Sequence, residues 1–381
     1  MHRDTTERRE STNTSVYVLG LRGLPDIQGG IETHAENLYP LVSERGILVT
    51  CATRRPYHNK NLNEWRGVKL LPIWAPRSQY LEALLHSVLA VFKAAIIRPD
   101  LVHIHAVGPA LVTPLARLFG LRVVVTHHGP DYDREKWNKL AKIVLRMGEW
   151  SGMRFSTRRI VISQVIADHV RDRYGAESNI IPNGVPLPEL DADRAVLKRF
   201  GLESERYVLL VSRFVPEKRH LDLIEGFAQA KLPGWKLALV GDTDHRPSDY
   251  VRLLWERAAG NSDVVLTGFL TGDDLKALYQ YAGVFVLPSS HEGLPISLLE
   301  ALSFGLRCLA SSIPANLCVG LGEHAYFPLG DTTEMSRKLR ALALADWTEK
   351  DKFHIRQWVE ETYDWRKIAD QTVSLYQDAT R

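Results

Sequence analysis

Short, nearly uninterrupted apolar runs rich in β-branched residues recur at Ser15–Leu21, Ile47–Thr53, Val68–Ile73, Leu101–Val107, Arg122–His128 and Arg159–Ser163, most of them separated by helix-length segments. A strand that is apolar on both sides must be covered on both sides, so the pattern predicts a parallel sheet between two helical layers. It restarts at Tyr207–Ser212 and continues through Lys236–Val240, Val264–Thr267, Val284–Leu287 and Arg307–Ala310. At 381 residues the chain also exceeds the roughly 250–300 at which one core stops growing. Two doubly wound, Rossmann-like α/β domains are expected, over 15–187 and 188–362, behind a polar tail at 1–14. The join is placed at Pro182–Asp193, where Pro182, Gly184, Pro186 and Pro188 break helices and strands alike.

Composition narrows the class. With 45% hydrophobic and 24% charged residues the chain can bury enough apolar surface to offset its conformational entropy. Cys51, Cys308 and Cys318 show no CxxC spacing, which fits neither a disulfide framework nor a thiolate metal site, and a reducing cytoplasm is expected. The most apolar stretch, Tyr80–Ile97, is interrupted by Glu82, His86 and Lys93, short of the roughly 20 apolar residues of a spanning helix. Net charge is +3, but residues 1–187 carry 25 Lys and Arg against 17 Asp and Glu, a net +8, whereas 188–381 carry 23 against 28, a net −5. The two halves therefore face different partners, the basic half suiting an anionic surface or acceptor.

Ligands of open parallel sheets sit beyond the carboxyl ends of the strands. After the first strand, Gly20-Leu-Arg-Gly23 leads to Gly29-Gly30 and a helix from Ile31, a loop whose amides can approach an anion although it matches neither GxGxxG nor a Walker motif. His103-Ile-His105 and His127-His128 stand at two strand ends. Adjacent strand residues point oppositely, so His127 and His128 do not chelate one ion together, and no metal is expected; His103 reads as a core histidine. In the second half Arg213 and Lys218 flank a strand-to-helix turn and suit a diphosphate clamp. Ser289 to Gly305 holds Glu292, Gly293, Pro295 and Glu300. Eight helical residues would separate the two glutamates by roughly 12 Å, too far for an acid/base pair on one bond, but suited to gripping two sugar rings. Asp-x-Asp strings begin at Asp131, Asp191 and Asp242 and read as solvated turns.

Together the Glu-x7-Glu segment, the Arg213-x4-Lys218 pair, the glycine loop and Thr126-His127-His128-Gly129 resemble the retaining glycosyltransferases of family 4, of the GT-B fold, in which two Rossmann-like domains face each other across a cleft. Gly29-Gly30-Ile-Glu-Thr and Asp131-Tyr-Asp-Arg-Glu-Lys136-Trp137 are similar to the bacterial members that build exopolysaccharide or O-antigen. The resemblance implies a nucleoside-diphosphate sugar donor (UDP or GDP type), no cofactor, and a saccharide or polyprenyl-diphosphate-linked acceptor rather than nucleic acid. It implies that Glu292 contacts donor hydroxyls, and that Gly293, Leu294, Pro295 and Ile296 line the sugar and phosphates. By the same resemblance Glu300 holds the ribose, Arg213 and Lys218 bind the diphosphate, Gly29 and Gly30 close over it, and His128 sits beside the reacting carbon. Members often carry a small apolar residue where His127 stands, so which of His127 and His128 faces the sugar is open. Residues 363–381 look like the family's last helix, which returns to the first domain. A nucleotide-sugar epimerase of the same fold and a non-catalytic sugar-nucleotide-binding protein are the rival readings.

From Lys136 to Arg159 a helix is expected in which Lys139, Lys142 and Arg146 alternate with Leu140, Ile143, Met147 and Trp150. Core packing and contact with an anionic membrane at the inner face of the cell both explain an amphipathic helix of this kind.

Overall fold

The computed structural model describes residues 14–27, 29–78, 81–130, 132, 138–243 and 247–381. The tail at 1–13, Tyr80, Asp131, Lys136, Trp137 and Asp244 lie outside the described residues.

The first sheet is built from β1 (Ser15–Leu19), β2 (Leu48–Arg54), β3 (Glu64–Trp65), β4 (Val68–Ile73), β5 (Leu101–His105), β6 (Val123–His127), β7 (Arg158–Val161) and β8 (Asn179–Ile180). Their order is β3-β4-β2-β1-β5-β6-β7-β8, and every pairing is parallel except β3 with β4. Helices α1 (Gly30–Glu44), α2 (Glu82–Ile97), α3 (Thr113–Leu118), α4 (Lys139–Phe155) and α5 (Gln164–Tyr174) accompany it. The second sheet, β9 (Tyr207–Val211), β10 (Lys236–Val240), β11 (Val264–Gly268), β12 (Val284–Leu287), β13 (Cys308–Ser311) and β14 (Tyr326–Phe327), is all parallel in the order β11-β10-β9-β12-β13-β14. Around it lie α6 (Val196–Arg199), α7 (His220–Ala230), α8 (Asp249–Ala259), α9 (Gly272–Gln280), α10 (Ile296–Ser303), α11 (Pro314–Leu317), α12 (Thr332–Leu344) and α13 (Glu349–Tyr363), and the chain ends in α14 (Trp365–Thr380).

Central strands such as β5 and β6 are buried at every residue, which is why they read as continuous apolar runs rather than alternating ones. Several strands stop short of the apolar run because the backbone turns left-handed at the cleft: Gly20 (φ +103), Ala106 (φ +71) and Gly129 (φ +128) follow β1, β5 and β6. Gly20 has to be glycine on two counts, its left-handed φ and the 2.3 Å at which a Cβ there would lie from the His105 carbonyl oxygen.

Helix α14 packs on α1 and gives Trp365, Ile368, Ala369 and Tyr376 to the core of the first domain. The return is tight: Val185 N–H donates to the Tyr363 carbonyl at 2.9 Å, and a Cβ on Gly184 would lie 2.6 Å from the Trp365 ring.

Helix α4 differs from its expected form. It starts at Lys139, where the Asn138 side chain caps the Ala141 N–H at 2.9 Å, and ends at Phe155, with Arg158 and Arg159 in β7. Its apolar stripe does not face the core: Leu140 is 70% exposed, Ile143 54%, Met147 53% and Trp150 49%. The buried side is Gly148, Glu149, Ser151, Gly152 and Met153. A Cβ on Gly148 would lie 2.1 Å from the Val107 carbonyl oxygen, so the helix backbone approaches the layer beneath too closely for larger side chains.

Candidate functional site

In each sheet the strand order reverses beside one strand, β1 in the first and β9 in the second, and such switch points open crevices at the carboxyl ends. The two crevices meet in a cavity of about 440 Å³. Gly29, Gly30 and His128 line it from the first domain, and Arg213, Lys218, Glu292, Gly293, Leu294, Pro295, Ile296 and Glu300 from the second. Every residue singled out for the site therefore reaches one cleft, whereas Asp191, Asp193 and Asp242 lie outside its lining.

On the first domain, Gly29 (φ +154) precedes α1, and the Glu32 carboxylate occupies the space a Cβ would need, accepting the Arg22 N–H at 3.1 Å. Gly30 opens onto empty space, and no side chain caps α1. Its first amides are available to an anion.

His127 and His128 separate as strand alternation requires. His128 lines the cleft, while His127 is fully buried, its Nε2 2.7 Å from Glu149 Oε1. His128 belongs to a buried chain of polar rings. Its Nε2 lies 2.9 Å from His105 Nδ1, and His105 Nε2 meets the Tyr39 hydroxyl. That hydroxyl lies 3.0 Å from His103 Nδ1, and His103 lies 2.6 Å from the Tyr376 hydroxyl and 2.7 Å from Thr126 Oγ1. His103 is indeed in the core, but as a polar junction that ties α14 to β5 and β6. Burial pushes His103 down to about 3, and burial with neighbouring imidazoles pushes His105 and His128 well below the usual histidine range, so all three are neutral at pH 7. Nitrogens of His34, His105 and His128 come within 4.8 Å of one another. His105 Nδ1 and His128 Nε2 face each other, and His34 Nδ1 lies 2.9 Å from Asn183 Oδ1.

On the second domain, Lys218 Nζ lies 2.5 Å from Glu292 Oε1, both groups mostly buried. Glu217 faces inward and its carbonyl accepts the Ser290 N–H at 2.8 Å, so Glu217 and Lys218 form no surface pair. Glu292 precedes α10 in a loop, so the helical arithmetic applied to Glu292 and Glu300 holds only from Ile296 onward. Glu300 accepts the Tyr279 hydroxyl at 2.8 Å, and burial raises its carboxyl to about 7 despite that bond. No side chain caps α10, and a Cβ on Gly293 would lie 1.9 Å from the His128 carbonyl oxygen. The two domains thus touch backbone to backbone at the cleft.

Asn183 was not anticipated. It comes from the linker, is buried, and bridges His34 of α1 and the Leu294 carbonyl, to which its amide donates at 3.3 Å. The one available signal was an asparagine inside the proline-rich join. Glu149 was also missed, since an acidic residue inside a basic helix reads as an ordinary solvated charge.

Residues 28–188 match the family model described as Glycosyltransferase Family 4, and residues 194–325 the one described as Glycosyl transferases group 1. The chain is 29% identical over 234 residues, 58% of this chain and 59% of that one, to the UDP-Gal:alpha-D-GlcNAc-diphosphoundecaprenol alpha-1,3-galactosyltransferase of Escherichia coli. It is 30% identical over 286 residues, 65% of this chain and 67% of that one, to the 2-deoxystreptamine N-acetyl-D-glucosaminyltransferase of Streptomyces fradiae. Against several curated relatives, the E. coli enzyme among them, the match spans about three fifths of the relative's length. A sucrose-phosphate synthase from Thermosynechococcus elongatus superimposes with a TM-score of 0.81 at 22% identity, over 96% of this chain and 98% of that one, and so shares the GT-B arrangement. With both halves matched in order and the two-sheet fold in common, the chain belongs to glycosyltransferase family 4.

Proposed function

We propose that the protein transfers a sugar, with retention at the anomeric carbon, from a nucleoside-diphosphate donor to a lipid-diphosphate-linked saccharide in the assembly of a bacterial surface polysaccharide. The observation that carries this reading is the meeting in one cleft of two cations, two carboxylates, an uncapped helix N-terminus and a neutral histidine. Arg213 and Lys218 neutralise the diphosphate, so the donor needs no metal ion, and the amides at Gly30 and at the start of α10 add to that field. Glu300 takes the ribose hydroxyls, Glu292 the hydroxyls of the transferred sugar, and His128 a hydroxyl beside the reacting carbon. The bond from the anomeric carbon to the diphosphate oxygen breaks with its electron pair on that oxygen. The acceptor hydroxyl oxygen forms the new bond on the same face, and its proton passes to the departing phosphate. Closing the domains at Gly129 and Gly293 excludes water, which strengthens each of these interactions.

The acceptor is placed with the first domain, and its lipid explains α4. The helix presents Leu140, Ile143, Met147 and Trp150 outward beside Lys139, Lys142 and Arg146. Helix α2 of the same domain adds exposed Leu89, Phe92 and Ile96. Among the described residues no helix is long and apolar enough to cross a membrane, so the contact proposed is peripheral, at the cytoplasmic face. The direct test is a screen of radiolabelled nucleotide sugars against lipid-linked saccharides. Label reaching lipid from one donor supports the reading; label that stays on the nucleotide as a different sugar would instead reveal an epimerase.

A further inference from the structure

Glu149 is fully buried, and a carboxylate removed from water is costly unless it is saturated with donors. Here it is saturated. It faces His127 Nε2 at 2.7 Å and His169 Nε2 at 3.2 Å, accepts the Tyr132 hydroxyl at 3.1 Å on each oxygen, and meets the Tyr174 hydroxyl. Burial pushes its pKa up, but the bonds from His127 and His169 prevail and hold it well below the usual carboxylate range.

His127 looks two ways. Its Nδ1 accepts the Gly129 N–H at 3.0 Å, and a backbone amide can only donate, so Nδ1 carries no proton. The ring proton must be on Nε2, where it is given to Glu149. What His127 holds through Nδ1 is the backbone that bounds the cleft. A Cβ on Gly129 would lie 3.2 Å from Gly293 Cα, and a Cβ on Gly293 would lie 1.9 Å from the His128 carbonyl oxygen. The carboxylate already has donors on both oxygens from other residues; among the described residues it is His127 that supplies an acceptor for Gly129.

Resting on the transferase reading, we infer that His127 and Glu149 are positioning residues: α4 orients the His127 ring, and the ring sets the His128–Gly129 peptide against Gly293 and thereby aims His128 into the cleft.

Two substitutions separate the halves of this device. In His127→Asn the amide oxygen takes the place of Nδ1 and still accepts from Gly129. In His127→Gln the amide N–H takes the place of Nε2 and still serves Glu149, but nothing holds Gly129. Misplacement of a reacting group costs about ten- to a hundredfold in rate, and that loss in kcat is expected for His127→Gln, with the donor KM unchanged and most of the loss restored in His127→Asn. A purely structural role would make kcat of both variants follow their melting temperatures, and that result, or the reverse ranking, overturns the inference. Imidazole 15N NMR of the wild-type protein needs no substrate. A protonated Nε2 and bare Nδ1 at His127 are expected, and a protonated Nδ1 overturns the inference even if transfer is observed. Gly129 amide exchange, also read without substrate, should be faster in His127→Gln than in His127→Asn, and equal exchange in the two sinks the proposal. Absence of transfer from every donor, with the NMR and exchange as expected, counts against the transferase reading alone.

Discussion

Lys218 Nζ and Glu292 Oε1 lie 2.5 Å apart inside the cleft, so without donor the cation assigned to the diphosphate and the carboxylate assigned to the sugar neutralise each other. Under the proposed assignment, donor binding has to share or break this pair. Removing Glu292 should therefore free Lys218 for phosphate.

Glu292→Ala is expected to bind nucleoside diphosphate at least as tightly as wild type while losing transfer by about a hundredfold or more. Lys218→Ala and Arg213→Ala should each weaken nucleoside diphosphate by about ten- to a hundredfold, from lost charge-assisted bonds of roughly 1.5–3 kcal/mol. Titration calorimetry with UDP and GDP checks both; unchanged affinity in the two cation variants removes the clamp.

Burial raises Glu300 to about 7, so its carboxylate forms only as pH climbs through neutrality. Nucleotide affinity should rise between about pH 6 and 8 and lose that rise in Glu300→Gln. Stability runs the other way. The folded state keeps a proton that the unfolded chain has released above about 4.3, so unfolding free energy falls as pH rises from there towards 7. Denaturant midpoints across this range that are flatter in Glu300→Gln than in wild type are the expected result.

His128 and His103 should fail differently. His128→Ala removes a cleft group and is expected to lower turnover with little change in melting temperature. His103→Ala takes the buried partner from Thr126 Oγ1, removes one of the partners of the Tyr39 and Tyr376 hydroxyls and opens a cavity, costing about 2–4 kcal/mol. Thermal melts beside initial rates distinguish them. A destabilised His128→Ala would mean that its bond to His105 matters more for folding than for the reaction.

Anionic vesicles should capture the protein at low salt and release it as salt rises, because each cation near such a surface contributes about 1 kcal/mol. Charge reversal at Lys139, Lys142 and Arg146 should weaken capture without altering nucleotide binding. Equal flotation with neutral and anionic vesicles would rule out the electrostatic part of this contact.

Ending the chain at Asp364 should leave the first domain unable to fold. Trp365, Ile368 and Tyr376 are buried in its core, and each large buried side chain contributes about 1.5–3 kcal/mol. A soluble truncated protein with a native melting temperature would contradict this.

What the chain shows without a structure is whatever neighbouring residues encode. Runs such as Val123–His127 and Tyr207–Val211 announce buried parallel strands because both their faces are apolar, and Gly29 and Gly293 mark places where the backbone turns left-handed or approaches too closely for a side chain. These features brought every residue named for the cleft to its lining. The polar interior was not legible, because its partners are distant in the chain: His103 meets Tyr376 across 273 positions and His34 meets Asn183 across 149. The raised carboxyl of Glu300 likewise depends on burial that no spacing reveals. Helix α4 shows the limit most plainly. Its periodicity established that Leu140, Ile143, Met147 and Trp150 share a side, but a period is the same whether that side meets core or solvent. Only the close approach of Gly148 and Gly152 to the layer beneath, with Glu149 drawn in between them to meet His127, turned the apolar side outward.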